Sequence, residues 1–287
     1  MKFCFIQDHR KIWPARTICR VLQVSASGFY AWRKRAPSAR AQRQAQLTEK
    51  IRKIHQEHQK VYGSPRVHGV LLADGETVSR NTVAKLMRKQ RIRAEIRKKF
   101  IPRTTDSNHT QPVAENKLDR NFQASAPNQK WVADITYIRV GKDQWLYLAA
   151  VLDCFSRKIV GWSMAEHLET DLAADALKMA LLREEVAAGE LIHHSDRGVQ
   201  YASDDYQELL LEHGIQSSMS RRGDCYDNAM MESFWATLKC ECVYRQGYGS
   251  IEQARQSIFE YIEVFYNRKR LHSALGYMSP ESFEAAA

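Results

Sequence analysis

Three carboxylates, Asp134, Asp196 and Glu232, fall in three different local contexts of a 287-residue chain. Asp134 sits inside the apolar, β-favouring run Trp131-Val132-Ala133-Asp134-Ile135-Thr136-Tyr137-Ile138. Asp196 closes a second such run, Leu191-Ile192-His193-His194-Ser195-Asp196, with Arg197-Gly198 directly after it. Glu232 lies in the helix-like stretch Asn228-Ala229-Met230-Met231-Glu232-Ser233-Phe234-Trp235. Two strands and a helix can bring carboxylates from distant positions to one edge of a sheet. Hard oxygen donors of this kind suit Mg²⁺ or Mn²⁺, the ions that clamp phosphates during in-line displacement.

Spacing alone is not diagnostic. Asp196 and Glu232 are 36 positions apart, and Asp205/Glu241, Asp224/Glu260 and Asp227/Glu263 share that separation. Context separates them, because only the first pair puts one acid at a strand end and the other at a helix start. Asp205 sits in a helix-like stretch, and Asp224 and Asp227 lie in the polar loop Arg221-Arg222-Gly223-Asp224-Cys225-Tyr226-Asp227. His193 and His194, beside Asp196, read as strand residues that pack or orient the aspartate rather than as metal ligands.

Charge points the same way. The chain carries a formal net charge of +10, very unevenly spread. Residues 1–127 hold 27 Lys and Arg against 9 Asp and Glu, a net of +18, while residues 128–287 hold 16 against 24, a net of −8. A basic half is the electrostatic footprint of a phosphate-backbone binder, and an acidic half is compatible with a site that concentrates divalent cations. The plain alternative is a basic surface kept for solubility. The six cysteines form no C-x-x-C pair and no disulfide-like framework, so a reduced, cytoplasmic setting is expected and a zinc site is not. The first residues lack the apolar core of a signal peptide, and no apolar run approaches bilayer-spanning length; a soluble protein without a membrane partner is expected.

The elements that must position these acids follow from periodicity and caps. In the basic half, Ala15 to Leu22 and a second helix through Phe29, Tyr30 and Trp32, capped by Ser25 or Ser27, form one helix-turn-helix candidate. A helical stretch from Gln42 to His58 leads to a second candidate. Ser64-Pro65 reads as a cap with proline at the first helical position, the helix stops near Gly75, and Ser79 caps a helix from Arg80 to Gln90. There Val83, Leu86 and Met87 form the buried stripe, and Arg80, Asn81, Lys85, Arg88 and Lys89 face outward, the division a major-groove recognition helix needs. Strand-like runs at 131–140, 144–152 and 158–164 with short turns favour antiparallel pairing. A helix from Asp171 to Ala188, a strand at 191–195, a helix from Asp204 to His213 and a strand from Ile215 to Met219 follow. The expected fold class is an α/β core with a mixed five-stranded sheet, preceded by an all-α helix-turn-helix region. The expected boundaries are 1–45 for a first helix-turn-helix-like segment, 46–100 for a second, 101–126 for a linker and 127–287 for the core with a C-terminal helical tail.

Four blocks carry a family resemblance: Trp131 to Tyr137; His193-His194-Ser195-Asp196-Arg197-Gly198-Val199-Gln200-Tyr201; Gly223 to Phe234; and Tyr266-Asn267-Arg268-Lys269-Arg270-Leu271-His272-Ser273-Ala274-Leu275-Gly276-Tyr277-Met278-Ser279-Pro280. In this order they resemble the OrfB transposases of the insertion-sequence-three family, over nearly the whole chain. The resemblance implies a ribonuclease-H-like core similar to retroviral integrase. Asp134, Asp196 and Glu232 then match the catalytic, metal-binding acidic triad, which holds two Mg²⁺ or Mn²⁺ ions. Lys239 matches the basic residue two helical turns beyond the glutamate, and seven residues on a 3.6-residue period return to nearly the same face. Asn228, one turn before Glu232, is expected to help orient DNA.

The same resemblance implies copy-out-paste-in transposition. One strand is cleaved at the element end to free a 3′-hydroxyl, which attacks another phosphodiester without a covalent protein intermediate. Its partners would be terminal inverted repeats, target DNA, further copies of this chain on paired ends, and an upstream OrfA-type protein or frameshift fusion. The setting would be the bacterial cytoplasm, at the nucleoid when bound to DNA. Two alternatives stand beside it: a structure-selective nuclease of the same fold, and an inactive DNA-binding regulator derived from a transposase.

Overall fold

The computed structural model describes residues 1–96, 111–221 and 225–287. The linker stretch that includes Pro102 and Thr104-Thr105-Asp106-Ser107-Asn108, and Gly223-Asp224 of the polar loop, lie outside the described residues. Contacts divide the chain into two compact units, Met1–Ile51 and Arg52–Ala287.

The first unit contains α1 (Lys2–His9), α2 (Ala15–Val21), α3 (Ala26–Lys34) and most of α4 (Ala39–Glu57). Ser25 is the cap of α3, its hydroxyl accepting from the Gly28 amide at 3.2 Å. Helix α1 is additional to the elements read from the sequence. Its Ile6 is buried with Ile18, Cys19 and Phe29, and its Phe3 packs against them, closing a core that two short helices would leave open.

The second unit opens with the end of α4, then α5 (Ser64–Ala73) and α6 (Arg80–Lys89). The cap expected at Ser64 falls one residue earlier. Gly63 holds the extended cap conformation, and Ser64 and Pro65 form the first turn without a side-chain cap bond. Ser79 caps α6 as its sequence indicates, accepting from the Thr82 amide at 3.3 Å. Val83, Leu86 and Met87 are buried, and Arg80, Asn81, Lys85, Arg88 and Lys89 are exposed.

The sheet contains β1 (Lys130–Val140), β2 (Gln144–Asp153), β3 (Ile159–Ala165), β4 (Ile192–Ser195) and β5 (Gln216–Met219) in the order β3-β2-β1-β4-β5. The first three strands pair antiparallel, and β4 and β5 join parallel to β1. Odd positions of β1 (Trp131 and Ala133) share a core with Ala149 and Val151 of β2 and with Leu172, Ala176 and Leu177 of α7 (Thr170–Arg183). Gly161 makes that layer possible, since a Cβ there would lie 2.1 Å from the Ala176 carbonyl oxygen. Helix α7 stops at Arg183, short of the expected Ala188. Glu184 turns extended and is drawn into bonds with Lys158 at 2.8 Å and Asn128 at 3.3 Å, partners far away in sequence.

A short α8 (Val199–Ala202), not foreseen, and α9 (Asp204–Glu212) link β4 to β5. On the opposite face of the sheet lie α10 (Ala229–Glu241) and α11 (Ile251–Phe259). The latter continues as a π-helical turn over Glu260–Tyr266, and α12 (Pro280–Glu284) follows. The Asn267 amide bonds both backbone groups of Ile159, at 2.9 and 3.0 Å, fastening this tail to β3. Residues 111–126 are not a loose tether. Leu118 is buried, and the amides of Lys117 and Leu118 donate to the Ser218 hydroxyl of β5. Proline and polar residues had announced irregular backbone, which says nothing about whether it is anchored. No described helix is long and apolar enough to cross a membrane.

Candidate active site

Strand register brings the two aspartates together. Trp131 of β1 pairs with His193 of β4, and Val132 with His194. Continued by two residues, that register sets Asp134 level with Asp196 on neighbouring parallel strands, which lie about 4.8 Å apart. As an even-numbered residue of β1, Asp134 faces α10, and the Trp235 indole N–H of that helix donates to Asp134 Oδ2 at 2.8 Å. The Asp134 carboxyl is pushed well above the usual carboxylate range, first by burial and then by the Asp196 carboxylate; the Trp235 bond and Lys239 oppose the shift. Asp196 Oδ1 accepts from the Gly198 amide at 2.9 Å. A Cβ on Gly198 would stand 3.0 Å from that oxygen, so the glycine allows the tight return of the chain.

Glu232 occupies the first turn of α10, exposed, one turn before Trp235. Lys239, a further turn along, is half-buried; burial lowers its pKa while the Asp134 charge raises it. Trp235 and Lys239, two members of the expected helical edge, therefore lie beside Asp134.

Asn228 caps the start of the same helix. Its side chain is buried, and its amide donates to the Ala133 carbonyl at 3.0 Å. It docks the start of α10 beside Asp134; periodicity set its face but not its depth. Asp227 is also buried, ringed by donors the sequence left far apart: Arg221 through Nε at 3.0 Å, Nη2 at 2.8 Å and its amide at 2.8 Å, Arg120 Nε at 3.0 Å, and Asn116 Nδ2 at 2.9 Å. The Arg221 bonds above all hold its carboxyl below the usual range. Nothing in a polar loop sequence signals such a hub.

His193 and His194 are neutral packing residues. Burial pulls them down to about 3 and about 4. Both His194 nitrogens are engaged, with Ser218 at 2.9 Å and Ser220 at 3.0 Å, and His193 Nε2 meets the Tyr206 hydroxyl at 3.1 Å. His167, Glu169 and Asp171 bring ligand atoms within 4.8 Å of one another, but all three are exposed.

Family models described as an integrase core domain match residues 124–225 and 213–280, and one described as an HTH-like domain matches residues 41–100. The transposase InsF for insertion sequence IS3A of Escherichia coli is 43% identical over 286 residues, covering 99% of this chain and 98% of that one. A Shigella sonnei protein described as an uncharacterized 31 kDa protein of insertion element IS600 is 44% identical over 266 residues, 93% of this chain and 97% of that one. Among solved structures, a simian T-cell lymphotropic virus intasome is 13% identical with a TM-score of 0.48, covering 82% of this chain and 74% of that one. The HTLV-2 integrase catalytic core in complex with magnesium is 14% identical with a TM-score of 0.44, covering 56% of this chain and 99% of that one. The mixed sheet, its flanking helices and the integrase-core matches define a ribonuclease-H-like DDE transposase/integrase. The chain belongs to the IS3 family of insertion-sequence transposases.

Proposed function

We propose that Asp134, Asp196 and Glu232 are the catalytic acids of DNA strand cleavage and strand transfer at the ends of an insertion sequence, and that they hold two Mg²⁺ or Mn²⁺ ions. The observation that carries this reading is the pairing of Asp134 with Asp196 at one level of the sheet, a like-charge contact that raises the Asp134 pKa. An all-oxygen donor set with surplus negative charge fits a hard divalent cation, and it fits neither zinc nor a soft metal. When bound, such ions supply charge stabilisation to the entering and leaving oxygens of an in-line displacement. Trp235 holds one Asp134 oxygen in a fixed direction, and the Gly198 amide does the same for Asp196. Lys239, beside Asp134, supplies positive charge for a DNA phosphate once the acids are neutralised.

The outward cations of α6, Arg80, Lys85, Arg88 and Lys89, together with Asn81, would contact the terminal inverted repeats in the manner of a recognition helix. The active form would be an assembly of at least two copies on paired ends, in the cytoplasm, working with an upstream partner protein or as part of a fusion with it. Division into end-recognition segments at 1–45 and 46–100 and a core at 127–287 belongs to the same proposal.

The test is a Mg²⁺-dependent cleavage and joining assay on DNA bearing the element's own ends. Asp196→Asn should lower both steps by on the order of 10³-fold or more and leave end binding intact. Activity at the wild-type level in this variant removes the triad assignment, and cleavage without joining by the wild type favours a plain nuclease. Lys85→Ala with Arg88→Ala should weaken end binding and reduce the slope of log affinity against log salt by about 2, one per phosphate contact, measured by fluorescence anisotropy. An unchanged slope would place the DNA elsewhere.

A further inference from the structure

Helix α10 ends in Glu241, two residues beyond Lys239, and this carboxylate is buried. Its Oε2 accepts from Arg270 Nε at 2.7 Å and from the Tyr261 hydroxyl at 2.9 Å. Its Oε1 accepts from Arg270 Nη2 at 2.8 Å and from Arg66 Nη1 at 3.1 Å. Arg66 belongs to α5, the helix that precedes and packs on α6.

The contact does not stand alone. The guanidinium of Arg66 lies over the Tyr62 ring, 5.5 Å from its centroid. The hydroxyl of Tyr62, a fully buried residue, donates to the Lys269 carbonyl at 3.1 Å and accepts from the Leu271 amide at 2.7 Å. One turn beyond Arg66, Gly69 lies flush on the tail: a Cβ there would be 3.2 Å from Tyr277 and 3.5 Å from Leu271. A buried ion pair is weak evidence for stability, because desolvation offsets its attraction, but it fixes relative placement, since a misplaced arginine would leave a charge without its partner. A helix pair on a slack tether has no use for such a contact.

We propose that Arg66 and Tyr62 are positioning residues that mount the α5–α6 pair, Arg66 on the end of the helix carrying Glu232 and Lys239 and Tyr62 on the 269–271 segment whose Arg270 bonds that same end, and so set the distance from the recognised bases to the cleaved phosphate. This rests on the reading that α6 binds the element ends and that α10 carries part of the active site. The mount makes the cleavage position a property of the protein and not only of the DNA sequence at the cut.

The experiment uses the full chain under conditions where the wild type cleaves, and maps the cut at nucleotide resolution. In Arg66→Met, Glu241 keeps both Arg270 bonds and its Tyr261 bond, so the melting temperature should stay close to that of the wild type. End affinity should change by less than about twofold. Cleavage at the correct phosphate should fall about tenfold, with cuts appearing at neighbouring phosphates. A one-base-pair insertion between the recognised repeat and the cut should disable the wild type more than the variant. Arg66→Lys should restore part of the accuracy.

A single wild-type cut at the wild-type rate in Arg66→Met overturns the proposal. So does a loss of affinity that accounts for the loss of rate, which would make Arg66 a DNA contact. If Arg66→Met does not fold, Tyr62→Phe carries the same expectation, and a failure of both to fold reduces the contact to a structural one and also overturns the proposal. An inert wild type or an active Asp196→Asn marks failure of the underlying reading instead.

Discussion

Helix α10 borders two kinds of acidic neighbourhood. Beside its first turns, Asp134 faces Asp196 and has its pKa driven up. At its far end, Glu241 is buried too, yet its pKa is lowered: burial alone would raise it, and the bonds and charge of Arg270, with Arg66 and Tyr261, more than compensate. Asp227, just ahead of the helix, resembles Glu241, with Arg221 and Arg120 as its counterions. An acid ringed by the chain's own arginines is a structural rivet. An acid whose strongest charged neighbour is another acid calls for a cation from outside. Depth of burial does not distinguish the two; the sign of the neighbouring charge does.

Glu241→Ala should give the largest effect on stability. It leaves the buried Arg270 guanidinium without its carboxylate, and chemical denaturation should show a loss of about 3–5 kcal/mol. A loss below about 1 kcal/mol would mean that Glu241 is no rivet and would break the contrast. Trp235→Phe should come next. It removes the donor that orients Asp134 and should raise the Mg²⁺ concentration for half-maximal binding about tenfold, read by calorimetry, with little change in fold. Unchanged metal affinity would show that Asp134 needs no such support.

The smallest effect is expected from Asp134→Asn in metal-free buffer. The folded pKa of Asp134 lies above its unfolded value near 4, so this carboxyl costs the wild type increasing stability as pH rises from there through the raised folded value. The amide variant has no such loss. Its melting temperature should match the wild type at about pH 4 and exceed it by roughly 2–4 °C at about pH 8. Saturating Mg²⁺ should raise the wild-type melting temperature and leave the variant unmoved. An advantage of the variant that does not grow between these pH values would contradict the like-charge reading.

The same contrast explains which parts of the site could be read in advance. Three other pairs of an aspartate followed by a glutamate share the spacing of Asp196 and Glu232, and three of their five described members are tied to arginine. Glu241 has Arg270, Asp227 has Arg221 and Arg120, and Glu263 has Arg183 at 2.7 Å. Arg120 stands 107 positions from its acid and Arg183 stands 80 from its own, so no local pattern announces either bond. The Asn228 side chain was on the foreseen helix edge, but its burial depended on where α10 docks against β1.

Local chemistry determined much by itself. The apolar, β-favouring runs of β1 and β2, the Ser79 cap, the outward cations of α6 and the 3.6-residue return from Glu232 to Lys239 are all short-range properties, so the sequence alone states them. Only the tertiary structure decided which acids face one another and which face arginine, where α7 gives way to the Glu184 bonds, and that α5 rests on the end of α10. Those outcomes depend on electrostatic and packing contacts between residues that are neighbours only once the chain has folded, because Coulomb attraction and close packing act across space and not along sequence.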